Sequence, residues 1–89
     1  MKLFRGISDK ELKNYRTIGI PKGKRFTTDI FRARKFGKNV IEVPYSENKF
    51  EVDSQSDVFK TLKIKETYYK LKKPIKQFKK LEFLEWLKH

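Results

Sequence analysis

The sequence predicts an α+β domain. Three observations point to it: β-forming runs at residues 2–7, 39–44 and 64–71, two short segments opening on helix-start signals at Ser8 and Asp29, and an apolar C-terminal stretch with helical patterning from Ile75 to Leu87. No internal repeat and no low-complexity linker divides the chain, so residues 1–89 read as one small domain.

Lys2 to Ile7 predicts the first strand. Side chains alternate across a strand, so Leu3 and Arg5 share one face and Phe4 takes the other. An arginine on the face of a core leucine either reaches solvent at the strand end or lines a pocket, and Gly6 beside it permits a close backbone approach. Ser8 with Glu11 three residues later fits a capping box. The helix that follows spans about Asp9 to Tyr15, with Leu12 and Tyr15 on its buried side. Gly19, Pro21 and Lys22-Gly23-Lys24 form a loop.

The segment Arg25-Phe26-Thr27-Thr28-Asp29 organises the rest. Asp29 caps a short amphipathic helix, Ile30 to Phe36, by accepting from an orphan backbone N–H. Gly37 is placed to close that helix in the left-handed conformation. Two hydroxyls at a strand-to-helix junction face an N–H-rich spot suited to a polar or anionic ligand; an ordinary Thr-Thr-Asp cap is the plainer alternative.

Asn39 to Pro44 is a strand that Pro44 ends, and Phe50 to Asp53 is a shorter one. Ser54 to Asp57 reads as a turn capping a short helical segment from Val58 to Leu62. In the strand from Ile64 to Leu71, Glu66, Tyr68 and Lys70 share one face, with Thr67, Tyr69 and Leu71 on the other. Pro74 breaks it. The final segment is apolar nearly all round as a helix, through Phe78, Leu81, Phe83, Leu84, Trp86 and Leu87, which suits a closely docked terminal helix or one with an outside partner.

Composition narrows the chemistry. The chain has 89 residues, no cysteine and a single histidine, the terminal His89, so thiolate chemistry, a disulfide framework and histidine-centred catalysis or metal binding are not expected. The formal net charge of +12 favours polyanionic partners, although lysine enrichment also arises from solubility and genome bias. No apolar run of about 18 residues occurs, and Met1-Lys2 leads into a strand with no secretory segment. The expectation is a soluble, cytoplasmic protein, monomeric and without membrane contact.

Three pieces, in order, carry a resemblance to a known family: Phe4-Arg5-Gly6 on the first strand, Phe26-Thr27-Thr28-Asp29 followed by Ala33 and Phe36-Gly37, and Glu66-Thr67-Tyr68 running on to Lys73-Pro74-Ile75. Together they resemble a compact mono-ADP-ribosyltransferase of the arginine–serine–glutamate type, over most of residues 2 to 76. The resemblance implies a small split β-sheet fold with short helices and a C-terminal helix, binding NAD in a cleft between two small sheets. It implies that Arg5 contacts the cofactor's phosphates or ribose, where a planar fork of donors pairs with two oxygens. Gly6 lies beside it. Thr27 stands at the position of the family's first motif serine and holds the nicotinamide-side ribose, with Thr28 supporting the backbone and Phe36 walling the ring. Glu66 becomes the catalytic glutamate, bonding the ribose 2′-hydroxyl and stabilising charge at the anomeric carbon as nicotinamide leaves. No metal is required.

The chain departs from the pattern where threonine and Asp29 replace two serines. Ile64, two residues before Glu66, offers nothing to orient a guanidinium, which argues against arginine as the acceptor. The implied function is ADP-ribosyl transfer to a protein or nucleic acid, and the small, lysine-rich chain suits a phage or mobile-element effector. A second reading remains open: an inactive module of the same fold that binds nucleic acid or a host protein through its basic and aromatic residues. A third makes the C-terminal helix an interaction surface.

Overall fold

The computed structural model describes residues 1–59 and 64–82, with side chains described outside residues 54–59 and 64–66. The elements run β1 (Lys2–Ile7), α1 (Asp9–Ile18), β2 (Arg25–Thr27), α2 (Ile30–Phe36), β3 (Asn39–Pro44), β4 (Phe50–Phe59), β5 (Ile64–Leu71) and β6 (Lys79–Lys80). The six strands form one antiparallel sheet in the order β4-β5-β2-β1-β3-β6. The α+β class holds, and the strands belong to a single sheet rather than two.

That sheet is unevenly joined. β1 pairs with β3 along its whole length, from Lys2↔Pro44 to Ile7↔Asn39. β4 pairs with β5 from Phe50↔Leu71 to Phe59↔Ile64, through two register shifts. Between these halves lies β2, three residues long. It pairs with β5 from Arg25↔Lys70 to Thr27↔Tyr68, but its ladder with β1 is confined to Phe4↔Thr27. The β1–β2 junction is therefore a seam in the sheet.

The alternation read from β1 is realised. Leu3 and Ile7 are buried with Leu12 and Tyr15 of α1, and with Phe26, Ile41, Val43, Phe50 and Leu71. Phe4 faces the other way, buried with Ile30 and Ala33 of α2, Val40 and Leu81. Each helix thus covers one face of β1. Aromatic contacts consolidate the α1 face: Phe26 meets Phe50 edge-on at 5.4 Å, and Tyr45 lies 5.0 Å from Tyr69.

The helix starts follow the predicted caps. Ser8 Oγ accepts from Glu11 N at 3.1 Å. Asp29 Oδ1 accepts from Phe31 N at 2.9 Å and Arg32 N at 3.3 Å. The Glu11 carboxylate does not reach back to close a capping box; Arg5 and Lys24 take it instead. α1 also runs a turn longer than expected, ending at Gly19 with φ +86°.

Three expectations are corrected. Gly37 is extended, with φ −174°, so left-handed freedom is not its role. A Cβ there would lie 2.5 Å from Ile7 N, and contact distance is what excludes a side chain. Residues 54–57 are strand rather than turn, because β4 absorbs irregularity as bulges and stays paired with β5; it continues to Phe59, so Val58 and Phe59 are not helical either. The rest of that expected helix, at residues 60–62, lies outside the described residues. Finally, Ile75 to Glu82 is not helical: Ile75 bridges Ile20, and Lys79 and Lys80 pair with Glu42 and Ile41 of β3. The free edge of β3 offers hydrogen bonds that a helix there would forgo. Residues 83–87 of the expected helix lie outside the described residues.

Gly6 is the tightest point. A Cβ on it would sit 1.8 Å from the carbonyl oxygen of Ala33. Gly6→Ala is expected to lift α2 off the sheet, costing about 3 kcal/mol or more because backbone cannot yield as a side chain can. Chemical denaturation followed by circular dichroism measures this, and a change below about 0.5 kcal/mol contradicts the close approach.

Candidate functional site

A cavity of about 280 Å³ opens at the seam, on the α2 side of the sheet. β1 contributes Phe4, Arg5 and Gly6, β2 contributes Arg25 and Thr27, α2 contributes Ala33 and Phe36, and β5 contributes Tyr68. Strand alternation explains the β residues. Phe4 and Thr27 are register partners, as are Thr27 and Tyr68, so their side chains share a face. Arg25, two residues before Thr27, joins them. The short ladder leaves room between Gly6 and β2, and α2 roofs it.

Of the residues singled out in the sequence, Arg5, Gly6, Thr27 and Phe36 meet in this cavity. Thr28 is outside its lining; its Oγ1 lies 3.4 Å from Thr67 N, and its own N–H donates to Thr67 O at 3.2 Å. Thr28 thus prolongs the β2–β5 connection. The backbone of Glu66 lies in β5 opposite Ser56, two residues before Tyr68, and its side chain lies outside the described part.

Thr27 is 2% exposed, and its Oγ1 accepts from Asp29 N at 3.0 Å. The hydroxyl thereby fixes the turn that presents Asp29 to the start of α2. Phe36, by contrast, is 65% exposed at the end of α2 and forms an open lip.

Arg5 behaves differently from expectation. Its side chain lies on the α1 face, where all three of its nitrogens donate within the chain. Nε donates to Tyr15 Oη at 3.2 Å, Nη1 to the Arg25 carbonyl at 3.1 Å, and Nη2 to Glu11 Oε1 at 3.0 Å. The bond to Arg25 crosses the seam where the β1–β2 ladder is short. The guanidinium replaces missing strand pairing and anchors α1 at the same time. Burial acts to raise the Glu11 carboxyl, but Arg5, Tyr15 and Lys24 outweigh it and hold the group below the usual glutamate value. Burial pushes the Tyr15 hydroxyl up to about 12, against the pull of Arg5.

Phe4, Arg25, Ala33 and Tyr68 complete the lining; each stood in a segment singled out in the sequence, but none was assigned to the cofactor site. Tyr68 was legible, since it alternates with Glu66 on one face. Arg25 carried the same signal relative to Thr27, but stood out only as part of a charged approach. It is exposed at the rim, where its Nε lies 2.9 Å from Asp53 Oδ2 in an ion pair. Among the described residues, no group of three or more His, Cys, Asp or Glu is placed to hold a metal ion, and no helix is long and apolar enough to cross a membrane.

Comparison of the chain with protein-family models, curated proteins and solved structures finds no match to any of them.

Arg5→Lys keeps the charge but loses the fork, and is expected to cost about 1–3 kcal/mol, because Tyr15, Glu11 and the Arg25 carbonyl lose donors together. Urea denaturation reads this, and a loss under about 0.5 kcal/mol would show that the network is dispensable. Because Glu11 is depressed in the folded state, its contribution is present above about pH 4.5 and is lost as pH falls through its folded value. Glu11→Gln should therefore lower stability at pH 7 and flatten the acid-side fall of wild-type stability; an unchanged acid slope would contradict that assignment.

Proposed function

We propose that this chain is an NAD-dependent mono-ADP-ribosyltransferase that modifies a macromolecular target, protein or nucleic acid. The observation that carries the reading is the seam cavity, which gathers Gly6, Thr27 and Phe36 from motifs far apart in sequence, with Arg5 in its lining while its guanidinium turns to α1. The near-parting of the sheet between β1 and β2 also supports a relation to the split-sheet ADP-ribosyltransferase fold, whose cofactor cleft lies between two sheets. On this reading the protein is a cytoplasmic monomer, and its size and charge suit a phage or mobile-element effector.

At about 280 Å³ the cavity is at the small end of ligand sites and matches one nucleoside-sized end of the dinucleotide. NAD supplies the ADP-ribosyl group, with nicotinamide as the leaving group. Phe36 and Tyr68 provide aromatic walls, and Thr27 fixes the floor. Arg25, exposed at the rim and held through Nε alone by Asp53, is better placed than Arg5 to meet the diphosphate, since all three Arg5 nitrogens are taken by Glu11, Tyr15 and the Arg25 carbonyl. Arg5 becomes the residue that holds the two sides of the cleft together. Glu66, on the strand that carries Tyr68, is assigned the ribose 2′-hydroxyl and the stabilisation of charge at the anomeric carbon.

The occupied state of Arg5 also favours a second reading. A module that keeps this fold without the reaction would use the same arginine for structure alone, and its net charge of +12 for binding a polyanion.

Nicotinamide release from NAD by the purified protein, with and without nucleic acid or cell lysate, separates the two. Release is expected, and Glu66→Gln is expected to reduce it by at least about a hundredfold with unfolding unchanged. Glu66→Gln as active as wild type removes the assignment of Glu66, and no release from folded protein under any of these conditions favours the binding module.

A further inference from the structure

Among the described residues a larger cavity than the one at the seam is present. This second cavity, of about 600 Å³, lies where β1 begins and β3 ends, between the β3–β4 turn and the segment that carries Pro74 to Lys79. It shares no lining residue with the first. Its volume lies within the range of small-molecule sites.

Its chemistry is divided. Val43, Phe50 and Ile75, all buried, give it an apolar floor, and the half-buried Phe78 adds an aromatic wall fixed by an edge-on contact with Tyr15 at 6.2 Å. Around this floor stand four lysines, Lys2, Lys49, Lys76 and Lys79. The only carboxylate lining it among the described residues is Glu42, 6% exposed, and Lys2 Nζ lies 2.9 Å from its Oε1. That approach lacks hydrogen-bond geometry, and Oε1 has no hydrogen-bond donor among the described residues. A buried carboxylate held only by charge needs cations kept close. Glu42 therefore favours lysines at this mouth, where Lys2 takes its Oε1 and Lys49 and Lys76 stand exposed.

We propose that this cavity binds a nucleoside phosphate, its base against the Phe78 wall and the apolar floor, its phosphate among the lysines. An apolar ligand alone would leave the cationic rim unmatched, and a simple anion would leave the floor exposed to water. A planar base bearing phosphate satisfies both. The same group is presented by a free nucleotide and by an unpaired nucleotide of a single strand. The inference does not depend on the transferase reading, because it uses none of the seam residues.

The test is fluorescence anisotropy of a labelled ten-residue oligouridine at several salt concentrations, with wild type, with Lys49→Gln/Lys76→Gln, and with Arg34→Gln/Lys35→Gln as a control that removes the same charge from α2. The cavity pair is expected to weaken binding about tenfold and to reduce the salt slope by about 1.4, with the control losing less than about threefold. Thermal unfolding verifies that each variant stays folded, and Phe78→Leu, which keeps an apolar side chain there, is expected to weaken binding without altering the salt slope. Unlabelled uridine monophosphate then separates the two sources: competition within about threefold of the unlabelled oligomer's assigns a free nucleotide, and much weaker competition assigns a strand. Absence of binding, equal losses in cavity and control pairs, or displacement by poly-glutamate as readily as by oligouridine would overturn the proposal, the last two by showing that net charge alone attracts the ligand.

Discussion

The guanidinium of Arg5 crosses the weakest line in the sheet. β1 and β2 meet in register only at Phe4 and Thr27, and the Arg5 bond to the Arg25 carbonyl reaches over the adjoining gap. The same side chain holds Glu11 and Tyr15, so the position of α1 and the closure of the seam rest on one group. Arginine suits the task because its fork reaches acceptors in different directions at once. Lysine, with three donors on one atom, does not span three partners set so far apart.

On the opposite face the limiting constraint is distance. α2 lies so close to β1 that the Ala33 carbonyl takes the place of a side chain on Gly6, and Ile7 backbone atoms do the same at Gly37. The helix is only seven residues long and would not persist alone. It is held by Asp29 at its start, by the burial of Ile30 and Ala33, and by these two glycine contacts. The seam cavity follows from both arrangements: a gap left by short pairing, roofed by a helix seated too low to fill it.

Much of this was legible in the sequence. The caps at Ser8 and Asp29, the strands at residues 2–7, 39–44 and 64–71, and the alternation placing Leu3 and Phe4 on opposite faces follow from local chemistry, which a single chain displays directly. The convergence of Arg5, Gly6, Thr27 and Phe36 was legible only through resemblance, since nothing local states that β1 neighbours β2. What local patterning missed depended on partners distant in sequence. The apolar run after Pro74 has helical periodicity, yet residues 75–80 are drawn into pairing with Ile20 and β3. Ser54 to Asp57 has turn composition, yet β5 supplies a complete partner and bulges absorb the misfit. Arg5 was read as a ligand contact through the resemblance, while the strand pattern left it open between solvent and a pocket; its acceptors on α1 and β2 become visible only when those elements are in place.

The shortness of β2 also bears on the order in which the chain assembles. β4 and β5 follow one another and can pair as an early local unit, and β1 with β3 needs only α1, β2 and α2 between them. β2 gains its full complement of partners only when these two preformed parts come together, with Thr27 meeting Phe4 on one side and Tyr68 on the other. Closing so long a loop against so short a strand is an entropically costly step with little gained before it is complete. The seam cavity therefore does not exist in any half-assembled chain, and a molecule stalled at that stage would have both halves formed and no pocket.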